Sequence, residues 1–319
     1  MTENHTNQKI LEALHIDGRA SWQRIAEAID ENERTVARRG NAMLKSGTVR
    51  IVAFNVPAHG FVLSVKSGLG QTRMASLALG KLETSMWVHL TTGTSDIVGA
   101  VGVSPAGQEE FLLDEMPAIP GIAQWQAYPV LSYLRTARIW RPGVLTSGQR
   151  QMLMDTSPQS AALKLGYEID LAGEDAAIRK VLQEDGRQSY DEIARQVGTS
   201  VATVRRRLDR MRRDGRLQIR AVVAPLHLGL DTEIIMWLRV RDSDIAEASH
   251  ALEADEAIKY AVRVAGDWTY VLKFDVIDQL HVDDFLGSRS WIPFVRDSSI
   301  AVVVATTRRN STRRAFGEG

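Results

Sequence analysis

The chain has 319 residues, 44% of them hydrophobic and 24% charged, a balance that suits a folded protein with room for two or three domain cores. Its 39 basic and 39 acidic side chains cancel, so any case for nucleic acid has to rest on local charge. No run approaches the roughly 18 apolar residues of a membrane span, Met1 to Gln8 lack the apolar core of a signal peptide, and cysteine is absent; a cytoplasmic protein without disulfides, thiolate metal sites or a cofactor is expected.

In chain order, the apolar spacing predicts helices at about Asn7 to His15, Ser21 to Ile29 and Glu33 to Leu44, followed by an extended wing from Thr48 to Phe54. The next segments alternate: Phe61 to Val65 extended, Thr72 to Leu82 helical, Met86 to Leu90 and Ile97 to Val103 extended, Pro105 to Met116 helical, Gln124 to Leu134 extended. Pro142, Gly143, Gly148 and Pro158 mark a linker over 138–173 with one helical piece. A second helical set then appears. Ile178, Val181 and Leu182 share a face; Ser189 caps a helix bearing Ile193, Ala194 and Val197; Gly198-Thr199-Ser200 turns into a helix from about Val201 to Arg213. The alternation Leu217, Ile219, Ala221, Val223 gives another strand or wing. Strands at Glu233 to Val240, Ile258 to Val264, Thr269 to Phe274 and Ile300 to Ala305, with helices at Ser243 to Glu253 and Asp278 to Leu286, complete a second βαββαβ order: a small antiparallel sheet with helices on one face.

The two halves are copies. Asp17-Gly18-Arg19 answers to Asp185-Gly186-Arg187, Ser21 to Ser189, Ile25-Ala26 to Ile193-Ala194, Thr35-Val36 to Thr203-Val204, Arg38-Arg39 to Arg206-Arg207, Met43 to Met211, Gly47 to Gly215 and Pro57 to Pro225, all at one offset. The expected domains are 4–54 and 174–224 (helical), 55–137 and 225–307 (sheet), the linker 138–173 and a basic tail 308–319. Arg308, Arg309, Arg313 and Arg314 lie in that tail, where a solvated terminus is the plainer reading and phosphate contact the alternative.

Two short helices across a tight turn, the second with a polar and basic outer face, form a helix-turn-helix whose second helix suits a DNA major groove. In the second copy Arg205, Arg206, Arg207 and Arg210 are candidates for phosphate and base-edge contact, with Ala202 and Thr203 near the helix start. In the first copy the candidates are Arg34, Thr35, Arg38 and Arg39. That helix is diluted: Asp30, Glu31 and Glu33 stand at its leading end, and Gly40 replaces Leu208, removing a core side chain. Residues 31–50 carry five basic and two acidic side chains, a balance of +3, whereas 199–218 carry seven and two, a balance of +5. The second reader should dominate affinity, and unlike readers favour a non-palindromic site for one chain, unless two chains pair so that like modules meet.

The segments EDGRQSYDEIARQVGTSVATVRRRLDRMRRDGRL and IDGRASWQRIAEAIDENERTVARRGNAMLKSGTV, each followed by βαββαβ, resemble the Lrp/AsnC (leucine-responsive, feast/famine) family of transcription regulators, whose ordinary members match one half of this chain. The resemblance implies an α+β fold, a duplicated winged helix-turn-helix plus ferredoxin-like (ACT/RAM-like) sheet domain. It also implies double-stranded DNA and a small effector, often an amino acid, as partners, a homo-oligomeric regulator, and effector binding near a Gly-x-x-Asp hairpin. Gly93 and Asp96 keep that pattern in the first copy; in the second, Gly266 and Trp268 keep the glycine and an aromatic, and Thr269 stands where the Asp would be. A tight β turn is the bland alternative for both glycines. Siroheme decarboxylases share this two-part fold, and an enzyme of that kind would draw on His89, Tyr260, Arg263 and Tyr270. The expectation is a non-enzymatic regulator, with that enzyme or a protein-interaction adaptor as the alternatives.

Overall fold

The computed structural model describes residues 2–54, 59–136, 140, 143–155 and 171–309. In chain order the elements are α1 (Thr2–Ile16), α2 (Trp22–Ile29), α3 (Glu33–Lys45), β1 (Val49–Phe54), β2 (Gly60–Ser67), α4 (Thr72–Lys81), β3 (Ser85–Thr91), β4 (Ile97–Gly102), α5 (Gln108–Glu110), which runs on as a π-helical turn (Phe111–Glu115), β5 (Ile122–Arg135) and α6 (Ser147–Asp155). They continue as α7 (Gly173–Glu184), α8 (Tyr190–Val197), α9 (Val201–Arg213), β6 (Gln218–Val223), β7 (Thr232–Val240), α10 (Ile245–Ala254), β8 (Tyr260–Val264), β9 (Tyr270–Val276), α11 (Val282–Gly287) and β10 (Val295–Arg308). The described residues divide into two compact units that regroup the copies by kind: one gathers both helical modules (2–54, 143–155 and 171–228), the other both sheet regions (59–136, 140 and 229–309). Within the predicted linker α6 is the one helical piece among the described residues; 156–170 lie outside them.

In the helical unit each module buries one stripe per helix: Ile10, Leu11 and Leu14, then Ile25 and Ile29, then Val36 and Met43 in the first; Ile178 and Leu182, Ile193, then Val204, Leu208 and Met211 in the second. The gap expected at Gly40 is filled. The Trp22 ring lies where a Cβ on Gly40 would come within 2.4 Å of it, so the first module exchanges a helix side chain for an indole from α2.

The segments predicted as wings do not stand free. β1 and β6 pair antiparallel, Val49 opposite Val223 through Phe54 opposite Gln218, and the two modules share one ribbon. The repeated Asp-Gly-Arg explains how. The Gly18 N–H donates to the Ile219 carbonyl at 2.9 Å and the Gly186 N–H to the Ile51 carbonyl at 2.7 Å, so each turn docks on the other module's strand. A Cβ at Gly18 would lie 2.8 Å from the Arg220 backbone, and one at Gly186 3.0 Å from that of Ile51, which is why this close approach needs glycine. The arginines close the clasp reciprocally. Arg19 donates to the Gly186 and Gln188 carbonyls at 2.8 and 3.0 Å and lies over the Tyr190 ring; Arg187 donates to the Gly18 and Ala20 carbonyls at 3.0 and 3.1 Å and lies over Trp22.

In the sheet unit the eight strands form a closed barrel in the order β10-β3-β4-β2-β5-β8-β9-β7. The copies match in register: Phe61 faces Val101 as Ile234 faces Phe274, and Val88 faces Gly99 as Ala261 faces Leu272. Each sheet has helices on its outer face, burying Leu63, Leu79 and Phe111 in one copy and Leu252, Tyr270, Phe274 and Trp291 in the other. The inner faces meet in a shared core that includes Val62, Trp87, Tyr128, Ile235, Trp237, Tyr260 and Val271. Closure is made by β5 and β10, each 14 residues long and each paired with a strand of either copy. The last strand therefore exceeds its predicted length, and Arg308 and Arg309 are not in a solvated tail. Both are buried, Arg308 donating to the Gly80 carbonyl at 2.9 Å and Arg309 to Glu233 at 2.8 Å. Arg313 and Arg314 lie outside the described residues.

Replacing Gly18 by Ala forces the two turns apart and is expected to cost about 1–3 kcal/mol in denaturant unfolding. Gly148→Ala, where a Cβ meets nothing within 4 Å, should leave stability unchanged or slightly raised.

Candidate DNA-reading and effector sites

The reading helices are set by local caps. Ser200 accepts from the Thr203 N–H at 3.1 Å and Asn32 from the Arg34 N–H at 3.0 Å; Ser189 and Glu192 form a reciprocal capping box at the head of α8. The turn before α9 uses Gly198 at φ +75°, and the matching turn before α3 uses Asp30 at φ +55°. Asp30 thus serves the turn rather than the face of α3.

The candidate arginines fall into two groups. Arg39 and Arg207, which correspond, point back onto the first helix of their own module: Arg39 donates to Asn7 at 3.2 Å, and Arg207 pairs with Asp175 at 3.0 Å and Glu174 at 2.5 Å. Arg210 adds a 3.2 Å pair with Asp175. These three hold the helices together. Arg34, Arg38, Ala202, Arg205 and Arg206 remain on the exposed surface, while Thr35 and Thr203 are half-buried and the Thr203 hydroxyl lies 2.9 Å from Oγ of its own cap, Ser200. Val201, Ala202, Arg205, Arg206, Asp209 and Arg213 line one shallow groove along α9. Asp209 and Arg213 were not among the predicted residues, although their i+4 and i+8 spacing from Arg205 marks the same face.

The two hairpins meet at one mouth of the barrel, in a cleft of about 740 Å³. Alternation brings Ser64 and Lys66 of β2, Gln126 and Tyr128 of β5, and Trp237 and Arg239 of β7 to it, with Thr94 and Ser95 from one hairpin and Asp267 and Trp268 from the other. Two corresponding pairs differ in kind, Ser64 answering to Trp237 and Ser95 to Trp268, while Lys66 and Arg239 are both cations. One copy supplies small hydroxyls and the other indoles. Trp237 packs 5.0 Å from Tyr128 and 6.4 Å from Trp268, and Arg239 lies over Trp268 while donating to the Asp267 carbonyl. Of the predicted effector residues, Trp268 lines the cleft. Gly93 and Gly266 form its hairpins at φ +86° and +118°. Asp96 instead accepts from the Ser67 N–H at 2.8 Å, and Thr269 from the Val240 N–H at 3.1 Å, so both secure the hairpins to neighbouring strands.

At the other end of β7 the inner face becomes charged. Glu233 lies 2.8 Å from Arg309, 3.1 Å from Lys273 and 3.5 Å from Lys259, which pairs with Asp275 at 2.8 Å. His89 is fully buried, its Nε2 2.5 Å from the Lys273 ammonium and its Nδ1 2.8 Å from Thr306 Oγ1. Burial, then Lys273, holds His89 well below its ordinary value. Burial pushes Lys273 down to about 8 against the pull of Glu233. Burial alone would raise Glu233, but Arg309, Lys259 and Lys273 together hold it well below the carboxylate range. The corresponding positions in the other copy are Gly60 for Glu233, Ala100 for Lys273, Gly102 for Asp275 and, in reverse, Val262 for His89, so the fold itself does not need the cluster.

The four residues an enzyme would draw on do not converge. Tyr260 lies in the inner core and His89 beside Trp87 and Lys273, whereas the Tyr270 hydroxyl bonds Ser249 and the Ile245 carbonyl in the core beneath α10. Arg263 is half-buried and alternates with the inner residue Val262, which puts it on the other face of β8. Among the described residues no group of three or more His, Asp or Glu side chains is placed to hold a metal ion, and no helix is long and apolar enough to cross a membrane.

Two capped helix-turn-helix modules on one ribbon define a DNA-binding regulator. The AsnC-type helix-turn-helix domain matches residues 4–44 and 175–212. An uncharacterised HTH-type transcriptional regulator of Pyrococcus furiosus is 34% identical over 141 residues, 42% of this chain and 93% of that one. The HTH-type transcriptional regulator FL11 of Pyrococcus abyssi is 26% identical over 138 residues, 43% of this chain and 91% of its own length. The chain belongs to the Lrp/AsnC family of transcriptional regulators, and each relative corresponds to about half of it. Among solved structures, the siroheme decarboxylase NirDL covers 98% of this chain and 95% of its own at a TM-score of 0.61 and 11% identity, a likeness of fold over both halves.

Because the folded chain resists protonating His89, an unfolded chain takes up one more proton below pH 6.5, and stability is lost as pH falls through that value. His89→Val, which copies Val262, should remove up to one proton's slope, about 1.4 kcal/mol per pH unit, between pH 6.5 and 5. The acid loss carried by Glu233 lies lower, below its unfolded value, and should remain. Urea unfolding at stepped pH measures both.

Proposed function

We propose that this chain is a transcriptional regulator that presents two unequal DNA readers as one covalent pair, with occupancy set by a small molecule in the barrel-mouth cleft. The observation that carries the first part is the shared ribbon. β1 pairs with β6 inside one chain, so both α3 and α9 belong to a single unit, as two half-length relatives would have to combine to achieve. A single chain then reads two unlike half-sites. Arg206 leads at the second half-site, with Arg205, Ala202 and Thr203 beside it; Arg38, Arg34 and Thr35 serve the first. Arg39, Arg207 and Arg210 contribute by bracing the readers. Further assembly of chains into homo-oligomers is part of the proposal.

The cleft supports the effector reading because it joins aromatic surface to convergent polar groups, the usual make-up of a small-molecule site, and because it needs residues of both copies. A zwitterion such as an amino acid suits Lys66, Arg239 and Asp267. The ligand acts on DNA only if it binds one arrangement of the sheets better than another. The whole-chain likeness to NirDL favours an enzyme; against it, no histidine lines the cleft among the described residues and His89 is closed off by Lys273. We therefore assign no catalytic role.

Arg206→Ala should lower operator affinity by about tenfold or more at fixed salt with thermal stability unchanged, and Arg38→Ala should do so less. Arg207→Ala should lower the melting temperature first. Fluorescence anisotropy and thermal melts separate the outcomes, and equal losses for Arg206→Ala and Arg38→Ala defeat the asymmetry. An amino acid that raises the melting temperature should lose that effect in Trp268→Ala; if it leaves DNA affinity and assembly untouched, the regulatory part fails.

A further inference from the structure

The groove along α9 contains an acid where the surrounding surface is basic. Asp209 is half-buried and lines that groove with Arg205, Arg206 and Arg213, which stand at i−4, i−3 and i+4 from it. That spacing favours side-chain ion pairs on a helix. Yet among the described residues Asp209 enters no ion pair within 4.0 Å, although the same helix sends Arg207 and Arg210 to Asp175 and Glu174. Its carboxylate is therefore not spent on neutralising its neighbours.

A carboxylate on a DNA-facing surface is repelled by phosphate and weakens sequence-independent binding. It gains only by meeting a donor, and the donors displayed in the major groove are the exocyclic amino groups of cytosine and adenine. An ionised carboxylate accepts and cannot donate, so it matches cytosine N4; adenine shows an acceptor beside its donor and is matched by a carboxamide, which does both. The corresponding residue on α3 is a carboxamide. Asn41 stands on the third turn of that helix, as Asp209 does on α9, and is the more exposed of the two.

Resting on the DNA-reading function proposed above, we propose that Asp209 selects a cytosine in one half-site and Asn41 an adenine at the equivalent place in the other. The preferred site is then non-palindromic at a defined position, and the difference is encoded by one atom group: the side chains differ only in a carboxylate oxygen against an amide nitrogen. Arg206, one turn before Asp209, is placed to donate to a guanine or a phosphate beside it.

Selection of bound duplexes from a random pool, with the intact chain at moderate salt, tests this directly. The variants are Asp209→Asn, Asp209→Ala and Asn41→Asp, each checked by thermal melting. Wild type should enrich a site whose halves differ, cytosine against adenine, at one matched position. Asp209→Asn should convert that cytosine to adenine with a preference of about tenfold, making the halves more alike; Asn41→Asp should do the reverse; Asp209→Ala should flatten the position. If the variants enrich the wild-type motif unchanged, Asp209 does not meet a base and the inference is overturned, while the DNA-reading function stands. If wild type itself enriches no motif, that function falls and the inference with it.

Discussion

A four-stranded βαββαβ sheet with helices on one face leaves the other face bare and its edge strands without partners, and the rest of this molecule follows from covering them. Exposed edges and a bare apolar face invite association with any similar sheet. Here the second copy is that sheet. The long β5 and β10 each pair across the two copies, the edges vanish into a closed barrel, and the bare faces become its interior core. The helical modules meet the same demand on a smaller scale, since a two-stranded ribbon is the least that satisfies β1 and β6. Duplication in one chain makes both pairings intramolecular, so they do not depend on protein concentration.

Once pairing is guaranteed by covalent linkage, equivalent positions need no longer serve identical partners. In a dimer of identical subunits a substitution appears on both sides of the axis at once. In this chain it appears once. Among the positions that remain alike are those at which the copies grip one another: Gly18 and Gly186, Arg19 and Arg187, and also Arg135 and Arg308, which cap the ends of α10 and α4 by donating to the Glu253 and Gly80 carbonyls. The positions that differ lie on the outer face of the reading helices, around the barrel mouth and along one side of the interior. Gly40 shows how such drift is tolerated locally, because Trp22 moved into the space that Leu208 occupies in the other module.

Much of the fold was legible because its causes are local. The helices follow from apolar stripes and from Ser189, Ser200 and Asn32 as caps, and the strand order from period-two alternation. What escaped depends on residues far apart in sequence. Nothing near Thr48 to Phe54 says that its partner is Gln218 to Val223 rather than DNA, and a run such as Arg205 to Arg207 reads as uniformly solvent-facing until Asp175 is found opposite one member of it. The Asp-Gly-Arg repeat was visible as a repeat, but the role of its glycine was not, because the strand it touches belongs to the other copy. Arg308 and Arg309 read as tail for a similar reason: the carbonyls and the carboxylate that bury them come from Gly80 and Glu233. The signal that was available is charge: a basic pair closing an apolar strand, balanced by an isolated Glu opening another.

The barrel mouth shows what a closed pair can do that two separate sheets cannot. A ligand there would stack on Trp237 and Trp268 from one copy while meeting Ser64 and Ser95 from the other, so its affinity would depend on both sheets being closed around it. On the proposed reading, that dependence is the source of regulation, because a ligand shifts an equilibrium only by the difference in its affinity for the two arrangements. A symmetric mouth lined by two serines would offer little surface, and one lined by two indoles little room. The unequal mouth offers both at once, and on the proposed reading the same inequality would hold a ligand in a single orientation, which would tie the effector site and the unlike DNA readers to one cause: two copies held together firmly enough to become different.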